Sequence, residues 1–241
     1  INNITWCDKI CSFFNENKGL ARSIVDGIDF VLKENDAVII LEDDCVPNAV
    51  FIDFMEQCFN KYQNDEKIFC ISGYAWPIEQ EKTEYDVYGC GRISSWGWGT
   101  WKDRWKKYNV DSNVLKRIKS DLNKSYNLAV WGNDLEGMLL QNISCRNDSW
   151  AVYWALNVIE NQGICINPYE SLIQNIGNDG SGINCGETDK YNVIVSSNVK
   201  KKFDLPDKIE ILDETKEAFR NLYGSYSTMK ESDLKEKVLI Y

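Results

Sequence analysis

Apolar residues fall along this chain in two rhythms. Leu20, Ile24, Ile28, Val31 and Leu32 recur at helical spacing after the turn Asn17-Lys18-Gly19, which predicts a helix from about Leu20 to Lys33, ended near Asn35. Val38-Ile39-Ile40-Leu41 is instead a continuous apolar run, mostly β-branched, and reads as a strand buried on both faces inside a parallel sheet. A second helix carries Phe51, Phe54, Met55, Cys58, Phe59 and Tyr62 on one face, and Ile68 to Gly73 is another short buried strand. Helix, strand, helix, strand at this spacing predicts an α/β fold with a mixed, mainly parallel sheet flanked by helices.

Further along the pattern is less regular. Residues 74–95 read as an excursion with a strand around Tyr88 to Ile93. Trp98, Trp101 and Trp105 would share one helical face and pack in the core, whereas Trp96 lies in a Ser/Gly setting that lets a ring approach a ligand. Residues 110–146 read as weakly patterned helix. A helix then opens at Asn147-Asp148-Ser149-Trp150 and stops at Asn161-Gln162-Gly163, before a short strand, Ile164-Cys165-Ile166, closed by Pro168. Asn175 to Gly182 is a Gly- and Asn-rich loop able to close over a ligand. The expected division is a main domain over 1–198 and a peripheral helical tail over 199–241, with one helix from Glu214 to Leu222.

Composition narrows the chemistry. A net charge of −10 argues against nucleic acid as the main partner. The chain has no His, and its nine Cys include no CxxC pair, which disfavours zinc sites and His-based triads. Dispersed cysteines point to a reducing compartment. No apolar run reaches the roughly 20 residues of a membrane span, so the expected location is cytoplasmic, at most peripheral at the inner face of a membrane. Nine Trp suit either stacking on sugar or base rings or a plain aromatic core.

The apolar run of residues 38–41 leads directly into Glu42-Asp43-Asp44, and no Lys or Arg lies between Lys33 and Lys61. In open α/β sheets ligands bind at the carboxyl ends of strands. Three adjacent carboxylates without a local cation are either a solvated turn or a seat for a divalent ion with oxygen ligands. Such an ion in an α/β cleft commonly neutralises a diphosphate, and sugar transfer from a nucleotide then needs a carboxylate opposite to take the acceptor's proton. Asp148 is the candidate for that role, although its spacing alone favours a helix N-cap; Asp134 and Glu136 are the alternatives.

Asp36 to Pro47, Phe51-Ile52-Asp53-Phe54-Met55 and Ile71-Ser72-Gly73-Tyr74 together resemble glycosyltransferases of the GT-A fold. The resemblance is to bacterial family-2-like sugar transferases and, more distantly, to the N-acetylglucosaminyltransferase I family. Glu42-Asp43-Asp44 looks like a variant of its Asp-X-Asp motif, and Asn17-Lys18-Gly19-Leu20-Ala21 like its Asn-X-Gly segment. Ser95 to Trp101 looks like its Trp-Gly-Trp segment, Asp148-Ser149-Trp150 like the segment carrying the base, and Asn175 to Gly182 like the loop over the donor. The likeness spans roughly residues 15–186.

The resemblance implies a metal-dependent transferase acting with inversion on a nucleotide-diphosphate sugar, with a glycan, lipid-linked sugar or protein as acceptor. Asp44 would bind Mn²⁺ or Mg²⁺, and Asp148 would be the base, since Ser149 cannot do that work. Glu42, Asp43, Arg22, Trp96, Gly180 and Ser181 would contact the donor. In the family a strand-helix-strand unit precedes the central strand. Here the first strong strand starts at residue 37, so part of that nucleotide-binding unit is expected to be missing or reduced to residues 1–16. The rival readings are a nucleotidyltransferase, which would want a Gly-rich basic phosphate loop, and a non-catalytic carbohydrate-binding domain.

Overall fold

A computed structural model describes residue 5 and residues 7–177, 188–197 and 200–223. Helix α1 (Leu20–Glu34) leads into strand β1 (Ala37–Ile40), β2 (Cys45–Pro47), α2 (Phe51–Tyr62) and β3 (Ile68–Ser72). Then come β4 (Val87–Cys90), β5 (Trp98–Trp101), and helices α3 (Lys102–Trp105), α4 (Val114–Lys119), α5 (Leu122–Trp131) and α6 (Leu135–Ile143). Helix α7 (Trp150–Glu160), strands β6 (Ile164–Pro168) and β7 (Ile173–Asn175) and helix α8 (Asp213–Tyr223) complete the described chain.

The protein is α/β, but its sheet is not mainly parallel. The strand order is β1-β5-β3-β6-β4, and only β3 and β6 pair in parallel. Strand β5 is inserted antiparallel between β1 and β3, so β1, β3 and β6 still run the same way and end at one edge. Periodicity finds strands; it does not say which distant strand slips between two others. That pairing is non-local, and here it reverses the local ladder direction.

Strand β1 also departs from expectation. It pairs with β5 alone among the described residues, and its burial alternates instead of being complete. Leu41 lies beyond the strand and is 42% exposed. The strands buried on both faces are β3, β4 and β5, whose residues are all buried.

Two apolar layers cover the sheet. One joins Ile28 and Leu32 of α1 with Trp98, Trp105 and the inner faces of α4 to α7. The other joins Phe51, Phe54, Met55 and Cys58 of α2 with Ile71, Trp101, Ile166 and Ile173. Trp98, Trp101 and Trp105 are all buried, as expected of core residues, but not on one helix face. Trp98 and Trp101 lie on strand β5, where residues three apart point to opposite sides, so they enter different layers. The segment read as peripheral brings Ile209, Thr215, Ala218 and Phe219 into the interior. No helix among the described residues is long and apolar enough to cross a membrane.

Candidate functional site

The register of the sheet determines what meets at its carboxyl edge. Trp98 is the Cα partner of both Ile40 on β1 and Ser72 on β3. One step further along, Leu41 and Glu42, Trp96 and Gly97, and Gly73 and Tyr74 therefore emerge side by side. The Gly73 amide donates to the Gly97 carbonyl at 2.8 Å, and Ser72 Oγ donates to the Trp96 carbonyl at 3.2 Å. Gly97 adopts φ +55°, and a Cβ there would collide with Ile173 at 2.5 Å and touch Leu41 at 3.4 Å. Glycine is required for the Trp96 segment to pass this close.

Glu42-Asp43-Asp44 forms a tight turn closed by Cys45 N–H donating to the Glu42 carbonyl at 3.1 Å. Asp43 is exposed; Glu42 and Asp44 are half-buried. Burial first, then the charges of Asp44 and Asp43, push the Glu42 carboxyl up to about 7. No Lys or Arg pairs with these three carboxylates among the described residues. The absence of local cations, legible in the sequence, is not compensated by a distant one among the described residues.

Strands β2 and β7 hold this turn against the start of the Gly-rich loop. Cys45 pairs with Asn175, and the Ile176 amide donates to the Asp44 carbonyl at 2.9 Å. A Cβ on Gly177 would lie 2.5 Å from Asp44 Oδ2, so glycine alone leaves room beside that carboxylate. Gly180 and Ser181 lie outside the described residues.

Asp148 is brought to α1, not to its own helix. Helix α7 starts at Trp150 with Ser149 as N-cap and no side-chain cap, so the expected N-cap role does not apply. Asp148 Oδ2 instead accepts from Ala21 N–H at 3.2 Å, capping α1 from 127 residues away. Gly19, at φ +82°, faces the same oxygen: a Cβ there would sit 2.5 Å from it. Asn142 grips the next peptide, its Nδ2 donating to the Ser149 carbonyl at 2.6 Å and its Oδ1 accepting from Ser149 N–H at 3.2 Å. Trp150 then stacks on Trp98 with centroids 5.1 Å apart. Trp98 is also the Cα ladder partner of Ile40.

The alternative acids are committed elsewhere. Asp134 binds Arg92 through both oxygens at 2.8 Å, and Glu136 binds Lys119 at 2.7 Å. The exposed guanidinium of Arg22 faces Asp26 one turn along α1 at 3.7 Å, and no contact among the described residues brings it to the acidic turn. Trp96 is half-buried, its ring edge-on to Tyr74 at 4.8 Å and to Tyr191 at 6.0 Å. Sequence reasoning missed Tyr191 and the Asn142 clamp, and it named Tyr74 and Gly177 only as members of longer segments, Ile71–Tyr74 and Asn175–Gly182.

No group of three acidic or thiol side chains converges on one point among the described residues. Mg²⁺ and Mn²⁺ take oxygen ligands, and Mg²⁺ sites commonly use one or two carboxylates, with phosphate oxygens and water completing the shell. Glu42, Asp43 and Asp44, unpaired with any Lys or Arg among the described residues, are the kind of oxygen donors such an ion takes. Cys45 donates from sulfur to Asp44 Oδ1 at 3.6 Å, and burial and Asp44 push its thiol up to about 12, so it offers no thiolate. No protein-family model and no curated protein matches this chain.

Proposed function

We propose that this protein is a metal-dependent glycosyltransferase of GT-A type, moving a sugar from a nucleotide-diphosphate donor to a hydroxyl acceptor with inversion. One observation carries the reading: the turn 42–44, unpaired with any cation among the described residues, the root of the Gly-rich loop and Trp96 meet at the edge where β1, β3 and β6 end. A half-buried acidic turn with no cation partner among the described residues is costly unless a ligand uses it.

Asp44 would hold Mn²⁺ or Mg²⁺, which when bound supplies positive charge against the leaving diphosphate. Glu42 and Asp43 would contact the donor beside it, and Trp96 would offer an aromatic floor to the sugar. Asp148 would take the proton from the acceptor hydroxyl as its oxygen bonds to the anomeric carbon and the bond to the diphosphate breaks. Its Oδ1 has no partner among the described residues, while Oδ2 is held by Ala21. The acceptor class is a glycan, lipid-linked sugar or protein. A cytoplasmic location fits the eight described cysteines, all free thiols.

The test is turnover of a panel of nucleotide sugars with Mn²⁺, read as release of nucleoside diphosphate. Turnover abolished by chelator, by Asp44→Asn and by Asp148→Asn is expected. Turnover indifferent to all three, or pyrophosphate release from a nucleoside triphosphate, overturns the reading.

A further inference from the structure

We infer that the cleft between Trp76 and the segment 192–196 is a binding site for an oligosaccharide of two or more units, entered from the Trp96 side. Its role as the acceptor site rests on the transferase reading; its glycan chemistry does not.

The cleft is an open trough of about 610 Å³, within the roughly 300–1,000 Å³ of small-molecule sites. Trp76, Pro77, Tyr169 and Glu170 form one side, and Asn192, Val193, Ile194 and Val195 the other. The second side is pinned at both ends. Tyr74 Oη donates to the Tyr191 carbonyl at 2.7 Å, and Ser196 N–H donates to the Ser171 carbonyl at 2.7 Å. Between these anchors, Val193, Ile194 and Val195 make no backbone hydrogen bond to a described residue. Unbonded main-chain groups and aromatic side chains lining one cleft are what a sugar needs: partners for its hydroxyls and a surface for its C–H face. Glu170 adds an ionised acceptor, since Lys82 and then Ser196 hold its pKa below the usual carboxylate range.

The aromatic wall does not stop at the cleft. Trp96 touches Tyr191 at 6.0 Å, Tyr191 touches Trp76 at 6.4 Å, and Tyr74 bridges Trp96 and Trp76 at 4.8 and 5.5 Å. A chain of sugars whose first unit sits beside the donor sugar held at Trp96 would run past Tyr191 and Trp76 into the trough, with buried Tyr74 backing the rings. A peptide adding as a strand to Val193–Val195 is the competing occupant. Three free residues are short of the mean strand of about five or six, and such a strand would leave the aromatic side unused.

The test is retention of the labelled protein on an array of mono- to hexasaccharides without donor or divalent cation, so that a failure of donor turnover counts against the proposed function alone. Wild type should retain di- or larger saccharides. Trp76→Ala should weaken retention about tenfold, and so should Ile194→Glu, a change at a side chain 93% exposed that the fold tolerates. No glycan retained, retention unchanged in both variants, or retention of extended hydrophobic peptides in place of glycans overturns the inference.

Discussion

A Cβ built on Gly19 would stand 2.5 Å from Oδ2 of Asp148, and Asp44 meets Gly177 in the same way at 2.5 Å. The proposed base and the proposed metal ligand are thus each faced by a glycine at a point where a side chain would displace the carboxylate. For Asp148 the same oxygen caps α1 through Ala21. The helix start and the proposed base are therefore held by one contact.

Gly19→Ala forces a side chain into this contact at φ +82°, a conformation that costs about 1–3 kcal/mol for a residue other than glycine. The expected outcome is a lower melting temperature and a transfer rate reduced about tenfold by misplacement of the carboxylate. The loss of rate should persist at temperatures well below the variant's melting transition. Full activity at those temperatures would mean that Gly19 acts through stability alone.

Asn142→Ala removes both hydrogen bonds that fix the Ser149 peptide. About 1 kcal/mol of stability per bond should be lost in urea melts. More diagnostic is kcat, expected to fall about tenfold while donor KM holds, because the clamp orients Asp148 and touches no donor group. A KM effect of equal size would place Asn142 in the donor site instead.

Glu42 makes stability depend on pH. Its carboxyl is raised from 4.5 to about 7, so the fold favours the protonated form. Its contribution is fully present below about 4.5 and is lost as pH rises through about 7. Glu42→Gln, neutral throughout, should melt above wild type at pH 8 in chelator and match it at pH 4.5. Thermal melts at the two pH values check this. An equal difference at both pH values would show that the group is not buried against Asp43 and Asp44.

Arg92 is buried, held by both oxygens of Asp134, and bonded to the Trp131 carbonyl at 3.1 Å. Asp134, 34% exposed, can rehydrate when alone; the guanidinium cannot. Asp134→Ala should therefore cost about 3 kcal/mol in urea unfolding, and Arg92→Met less. The reverse order would show that the Arg92 stacking on Tyr223, at 4.5 Å, outweighs the ion pair.

Much of the local structure was legible from residue order. Leu20–Glu34, Phe51–Tyr62 and Trp150–Glu160 follow their apolar stripes, and β3, β6 and α8 fall within a residue or two of expectation. The excursion at 88–93 was harder, because burial of Val87–Cys90 on both faces erases alternation. Trp98 to Trp101 misled for a related reason. Spacing of three suits a helix face, yet β5, buried throughout between two strands, offers an apolar environment on either side.

By itself the sequence determined an α/β protein with an acidic turn after a strand, no cation nearby to quench it, and helix lengths set by periodicity. These are properties of neighbouring residues, and local sterics and solvation enforce them. Only the tertiary structure decided that β5 reverses the ladder between β1 and β3, and that Asp148 caps α1 and not α7. It alone decided that Gly177 rests on Asp44. Each of these joins residues far apart in the chain. Their pairing depends on packing and hydrogen-bond satisfaction across the whole core, which no window of sequence contains.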